Sequence, residues 1–239
     1  MPSNKGLKVM VALSLVIGIL GVSLGFAAFQ NLLTISSSAA VAPSQATFDV
    51  NFSKTSGTLE AGTLSGVASG NSGVTADSAT IVNAAPSSEP GTAAITGLKA
   101  NFTQPGQTVT YTFYARNDGQ YNAFLKSVAF ANVANESSAV VCSANTGTDA
   151  TLMAAACNKI TISVSVNGTP YALANDANEI PHAAVTHSVS SHQLSIGAQE
   201  TIVVTITYAA EGDNEIARAD GSFNVSFGDI ALTYRSIDA

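Results

Sequence analysis

The chain is poor in charge, in aromatic side chains and in cysteine. It has no tryptophan, charged residues make up 10% of its 239 positions, and its cysteines are a single pair. The formal net charge is −7. Nucleic-acid binding depends on Lys and Arg side chains that neutralise phosphates, so this composition argues against a nucleic-acid partner. The abundance of Ser, Thr, Ala, Gly and Asn is more typical of an exported β-protein than of a cytosolic enzyme.

Motifs of common hydrolases and nucleotide-binding enzymes are also absent. The chain has no Gly-x-Ser-x-Gly, no glycine-rich phosphate loop and no His-Glu-x-x-His zinc helix. His182, His187 and His192 are spaced five residues apart in a segment rich in Ser and Val. That spacing does not bring three imidazoles to one ion, so we expect solvated loop histidines.

One acidic turn resembles a calcium ligand set. Glu211, Asp213 and Glu215 alternate around Gly212 and Asn214, and Ca²⁺ prefers carboxylate oxygens. The spacing does not fit an EF-hand loop, however, and acidic hairpin tips are common. We therefore predict no metal and no cofactor, and we expect that the chain is not an enzyme.

The N-terminal segment is typical of an export signal. Lys5 and Lys8 precede a long apolar run, and small residues at its end fit a signal-peptidase site between Ala27 and Ala28. We predict a signal helix at residues 1–27, read by the secretion translocon and a signal peptidase, and an extracellular or cell-surface product. A bilayer span takes about 20 residues, so an uncleaved membrane anchor is the alternative, and it would be the chain's only membrane contact.

The segment that follows, residues 28–47, predicts an unpaired strand and a linker. Phe29, Leu33 and Ile35 have the same parity, as a strand with one buried face requires. Nothing adjacent in sequence offers this strand a hairpin partner. We therefore expect a donor-like strand that completes a sheet in another subunit.

Residues 48–239 predict one β-domain. Inward and outward residues alternate from Phe48 to Phe52 and through Thr108–Ala115, Lys159–Val166 and Glu200–Ala209, the pattern of half-buried strands. Many short strands separated by turn residues indicate an all-β fold, a jelly-roll or Ig-like sandwich of antiparallel strands.

Three local signals add detail to that domain. Asn167-Gly168 predicts a hairpin with a type I′ turn, because both residues tolerate positive φ. The inward parity shifts at Gly228-Asp229, which predicts a bulge or bend. Thr148–Ala156 is the one short helix that we expect after the signal.

The two cysteines predict a structural disulfide. In an exported chain an isolated pair such as Cys142 and Cys157 is most simply one bridge, here closing a loop within residues 131–158. A redox role is disfavoured because there is no Cys-x-x-Cys. Five Asn-x-Ser/Thr sequons are candidates for N-glycosylation, although chance produces about as many in a chain of this composition. They are Asn51, Asn101, Asn135, Asn167 and Asn224.

Short motifs in a consistent order resemble the TasA/camelysin family of exported biofilm-matrix filament proteins. They are Ala27-Ala28-Phe29 at the end of the signal, Gln104-Pro105-Gly106-Gln107, Tyr111-Thr112-Phe113, Asn117-Asp118-Gly119 and the closing Ser222–Phe227. The similarity is poor from about residue 132 to 191. It implies a SipW-type signal peptide and a jelly-roll subunit that forms a homopolymer, each mature N-terminal strand completing the sheet of the next copy.

Two other functions remain open from the sequence. A type IV pilin-like subunit would keep its N-terminal helix after a cut near Lys5-Gly6, but such pilins usually carry Glu at the fifth mature position, where this chain has Val11. A membrane-tethered adhesin or binding domain is the other alternative. The metalloprotease activity that has been ascribed to camelysin is not expected, because the zinc helix is absent.

Overall fold

The computed structural model describes residues 48–70, 73–83, 91–173, 182–209 and 221–236. The chain divides into units 1–42 and 43–239, and every described residue belongs to the second. Within the described ranges no helix is long and apolar enough to cross a membrane. Outside these ranges lie the predicted signal segment, its cut between Ala27 and Ala28, the donor-strand residues Phe29, Leu33 and Ile35, and the acidic turn with Glu211, Asp213 and Glu215.

The described residues form short strands and one helix, α1 (Ala150–Cys157). The strands in chain order are β1 Val50–Ser53, β2 Gly62–Leu64, β3 Val67–Ser69, β4 Thr75–Ala76, β5 Ala79–Asn83, β6 Gly91–Thr96, β7 Lys99–Phe102, β8 Thr108–Asn117, β9 Ala123–Phe130, β10 Val140–Ala144, β11 Ile160–Val166, β12 Thr169–Ala172, β13 Val185–Leu194, β14 Gln199–Tyr208, β15 Phe223–Phe227 and β16 Ile230–Arg235.

These strands pair antiparallel in three sheets. Sheet A has the order β1-β8-β14-β11-β12, and β3 pairs with the other half of β8. Sheet B has the order β13-β9-β16-β6-β5-β2, and sheet C the order β10-β15-β7-β4.

Sheets B and C are two halves of one bent layer. Four neighbouring strands of sheet B, namely β9, β16, β6 and β5, continue along the chain into β10, β15, β7 and β4, which keep the same order in sheet C. Backbone hydrogen bonds cross the bend, from Ala131 N to Asp229 O (2.9 Å) and from Phe227 N to Leu98 O (3.1 Å). A Cβ at Gly228 would clash with the carbonyl of Ala131, so the bend requires glycine there.

Sheet A packs across both halves of this layer. The Phe52 ring of sheet A lies 6.4 Å from that of Tyr234 in sheet B, and the Tyr208 ring lies 5.4 Å from that of Phe223 in sheet C. The interior is built from the alternating inward residues of the long strands; Val109 and Phe113 of β8, for example, are fully buried. The predicted all-β sandwich of antiparallel strands is therefore confirmed.

The three local predictions are also confirmed. Asn167 and Gly168 have φ values of 47° and 86° at the β11–β12 hairpin. The bend at Gly228 divides the last strand region into β15 and β16, which belong to different sheets. The helix begins after Asp149, whose carboxylate accepts hydrogen bonds from the first-turn amides of Thr151 and Leu152, as an N-cap does.

Cys142 of β10 and Cys157 at the end of α1 form the predicted disulfide, with their Cα atoms 6.0 Å apart. The bridge fixes α1 against the edge of sheet C. Closing a loop of this size contributes on the order of 3 kcal/mol in the chain-entropy account.

Candidate functional site

At the outer edge of β13, the backbone groups pair with no described strand and the inward side chains are only half-buried. This ten-residue strand pairs with β9 on one side, and none of the described strands pairs with its other side. Its inward residues Val185, His187 and Val189 are only half-buried, whereas Leu125 and Val128 of neighbouring β9 are fully buried. An added strand would therefore find backbone groups that pair with no described strand, and a half-covered row of side chains.

Other sheet edges are shorter or already occupied. β12 has four residues and includes Pro170, which cannot donate to a ladder. β10 has five residues, and the disulfide and α1 lie against it. At β1, the Asn83 side chain accepts from Phe52 N (2.7 Å) and donates to Phe52 O (3.0 Å), in the manner of a neighbouring strand.

His187 joins the edges of the two layers. Its Nε2 donates to the carbonyl of Ala172 in β12 at 2.8 Å. Its ring lies 6.0 Å from that of Phe130 and 5.9 Å from that of Tyr171. These contacts connect β13 to β12 of sheet A, at the side of the sandwich where both layers end.

A buried carboxylate makes the second connection between the layers. Glu200 of β14 lies with its side chain 4% exposed, and His192 Nε2 donates to its Oε2 at 2.5 Å. The hydroxyl of Tyr234, a fully buried residue of β16, donates to its Oε1 at 2.6 Å. We call Glu200, His192 and Tyr234 the polar cluster; it links sheet A to two strands of sheet B.

Burial raises the pKa of two tyrosines that lie near Glu200. Desolvation raises the pKa of Tyr234 well above its usual value, and the charge of Glu200 and its hydrogen bond add to that rise. The pKa of Tyr171 on β12 is raised in the same direction, first by burial and then by Glu200. Both phenols are therefore held in the neutral form, and the Tyr234 hydroxyl donates to Glu200.

The expectation of solvated loop histidines is wrong. His187 and His192 lie in a strand and are half-buried against aromatic or carboxylate partners. His182 precedes that strand and is also half-buried, and burial lowers its pKa, with an opposing hydrogen bond to the Cys157 carbonyl. Across the described ranges, no group of three or more His, Cys, Asp or Glu side chains is placed to hold a metal ion.

The sequence contained one overlooked signal for the cluster. Glu200 has the same parity as Ile202, Val204 and Ile206, all fully or almost fully buried. A carboxylate at an inward position of an apolar strand needs a buried partner. Its partners could not be identified, because they come from strands that are distant in sequence.

The five sequons occupy different environments. Asn135 and Asn167 are exposed at turns with positive φ. The side-chain nitrogen of Asn51 donates to Asp49 at 2.6 Å. Asn101 and Asn224 are directly opposite in β7 and β15, and Asn101 Nδ2 donates to Asn224 Oδ1 at 3.0 Å. Two glycans could not share that pair of neighbouring positions.

Comparison with known proteins yields no relative: neither the family models nor the curated proteins nor the solved structures contain a match to this chain.

Proposed function

We propose that this protein is the structural subunit of an extracellular filament at the cell surface or in a biofilm matrix. The mature N-terminal strand of one subunit would add to the outer edge of β13 in the next. The observation that carries the proposal is that edge, which is ten residues long, half-covered, and paired on its inner side with β9, whose Leu125 and Val128 are fully buried. The sequence resemblance to the TasA/camelysin family and the disulfide, which is favoured outside the cytoplasm, support the same function.

The donor residues match the requirements of strand addition. Added backbone hydrogen bonds provide binding, and alternate side chains occupy sites beside the recipient strand. The donor strand would place the side chains of Phe29, Leu33 and Ile35 beside the inward, half-buried residues of β13, which include Val185 and Val189. Burying three such side chains contributes roughly 5–9 kcal/mol in total, and association costs about 4–15 kcal/mol. The side chains and the backbone hydrogen bonds are therefore both needed for a stable junction.

The geometry of such a junction leads to a polymer. The donor segment and the β13 edge are different surfaces of one chain, so an assembly of any length keeps one free donor at one end and one free edge at the other. Heterologous contacts that do not close into a ring extend as filaments. Copies of the chain itself are the partners that the proposal requires.

Truncation tests the donor. A chain that starts at Ala28 should form filaments visible by electron microscopy, and a chain that starts at Pro43 should remain monomeric by sedimentation. A synthetic peptide of residues 28–41 should bind the shorter chain and cap growing filaments of the longer one. Filaments formed equally well from both chains would contradict the proposal.

A pair of edge variants tests the acceptor. Val189→Lys places an inward charge on the β13 edge, a device that blocks strand pairing. Val67→Lys, on β3 at the other edge of the sandwich and 67% exposed, is the matched control. Val189→Lys should abolish polymerisation while keeping the far-UV circular dichroism spectrum, and Val67→Lys should polymerise normally. Equal polymerisation of both variants would place the junction at another edge.

A further inference from the structure

Three of the five sequons are built into strands. They begin in β1, β7 and β15, and the middle residue of each points into the core and is fully buried. These middle residues are Phe52, Phe102 and Val225. An enzyme that binds all three residues of a sequon could reach these only after the strand had left its sheet.

The sequon at Asn167 forms the turn of the β11–β12 hairpin. Asn167 N donates to Thr201 O at 2.9 Å, and Thr169 pairs with Val166 in the ladder. Pro170 follows and restricts Thr169 to an extended backbone. Access to all three residues of this sequon would therefore require the hairpin to open.

The sequon at Asn135 lies wholly outside the strands, in the loop between β9 and β10. Its three residues, Asn135, Glu136 and Ser137, are all exposed. Glu136 N donates to Val133 O at 2.9 Å, which makes Asn135 the third residue of a turn. Its φ of 67° is a value that Asn adopts more readily than most residues. The side-chain amide and the hydroxyl of this sequon are therefore accessible together without any change in the sheets.

We propose that Asn135 is an N-glycosylation site and the sequon that the folded chain offers, an inference that rests on the proposed extracellular location. The co-reactant is an oligosaccharide carried on a polyprenyl phosphate. Asn135 Nδ2 forms a bond to C1 of the first sugar, the phosphate leaves with the electron pair of its own bond to C1, and Nδ2 loses one proton. The Ser137 hydroxyl is the second group that the transferase recognises in an Asn-x-Ser sequon.

A glycan on Asn135 also constrains how subunits pack. The loop contacts the chain that enters β13, since Ala184 N donates to Asn132 Oδ1 at 3.1 Å and Ala139 N donates to His182 O at 2.6 Å. An oligosaccharide is bulky and hydrated, and burial of its hydroxyl groups without partners is costly. The β9–β10 loop must therefore remain on the outer surface of a filament, beside the start of the β13 edge.

Tryptic digestion of the protein isolated from the cell surface tests the site, because the Lys and Arg residues place each sequon in a different peptide. In chain order, the five peptides end at Lys54, Arg116, Lys159, Arg218 and Arg235. Mass spectrometry should find the glycan on peptide 127–159 and find the other four unmodified. A surface protein with peptide 127–159 unmodified, or with the glycan on a strand sequon instead, would overturn the proposal. Absence of the protein from the surface would contradict the extracellular location itself.

A pair of variants made in the native host identifies the attachment residue. Ser137→Ala removes the hydroxyl of the sequon and leaves Asn135, with its positive φ, in place. Thr169→Ala is the matched control, because it makes the same change in the sequon at Asn167. Peptide 127–159 should lose its glycan in Ser137→Ala and keep it in Thr169→Ala, while both variants retain the far-UV circular dichroism spectrum. A glycan kept by Ser137→Ala, or lost from Thr169→Ala, would overturn the proposal.

Discussion

Removal of the Glu200 carboxylate should cost far more stability than removal of an ordinary strand residue. Glu200→Ala leaves the fully buried hydroxyl of Tyr234 without its acceptor at 2.6 Å, and a buried unpaired donor costs about 1–3 kcal/mol. The one lost methylene adds about 0.8 kcal/mol. His192 keeps 17% of its side chain exposed and can turn to water. We expect the free energy of unfolding to fall by about 2–4 kcal/mol.

The decisive quantity is the coupling between Glu200 and Tyr234. Tyr234→Phe alone removes one donor from a buried carboxylate and should cost about 1–3 kcal/mol. In the double variant Glu200→Ala/Tyr234→Phe neither group is left unpaired. The double variant should therefore be more stable than the sum of the single losses predicts, by about 2 kcal/mol.

Equilibrium unfolding in urea, followed by circular dichroism because the chain has no tryptophan, measures all four free energies. The slope of the free energy of unfolding against urea concentration should be equal in the four proteins. Equal slopes would show that the same surface is exposed on unfolding. Thr201→Ala, at the adjacent outward position of β14, is the control and should cost less than about 1 kcal/mol. Additive losses, with a coupling below about 0.5 kcal/mol, would refute the contact between the carboxylate and the phenol.

Two further predictions concern the bend and alkaline pH. Gly228→Ala should destabilise the fold by about 3 kcal/mol or more, because its Cβ would meet the backbone of Ala131. The control is Gly97→Ala, which has open space around its Cβ and a φ of +71° and should cost only about 1–2 kcal/mol. Equal losses of stability in thermal unfolding would contradict the steric argument. Burial raises the pKa of Tyr111 from 10.0 to about 12. The stability that comes from its neutral hydroxyl is therefore fully present below pH 10. As the pH rises from 10 towards 12, the free energy of unfolding should fall by about 1.4 kcal/mol per pH unit. Tyr111→Phe should reduce this alkaline slope in unfolding experiments between pH 9 and 12, and an unchanged slope would show that other groups cause it.

The long strands were predictable because their environment is regular. β8, β11 and β14 lie in the middle of sheet A, where one side of each strand faces the core along its whole length. Alternation of apolar and polar residues then reports burial directly. The hairpin at Asn167-Gly168 and the bend at Gly228 were predictable for a related reason, since each depends on a local backbone requirement.

The candidate edge and the polar cluster were not predictable from such local patterns. β13 has Ser, His and Gln at most positions and lacks the apolar alternation of the central strands, because as an edge strand it is only half-buried. The pairing of His192 with Glu200 depends on how sheet A faces sheet B. That relation is set by the packing of the whole sandwich, on which single-strand periodicity carries no information.

The hydrogen bonds of the two β13 histidines have a consequence for assembly that a purely apolar edge would not have. An edge strand held by hydrophobic contact alone can slip in register, since such contacts are not directional. The hydrogen bonds of His187 and His192 are directional and fix two positions of β13, on either side of the register shift between Ser188 and His192. An incoming strand would therefore meet a preformed partner, and the ordering cost of the recipient is small. The register shift limits the regular ladder to Val185–Ser188 before it resumes at His192, which disfavours the long continuous pairing that leads to aggregation. An edge of this kind suits a short donor strand of defined length better than unrestricted sheet extension.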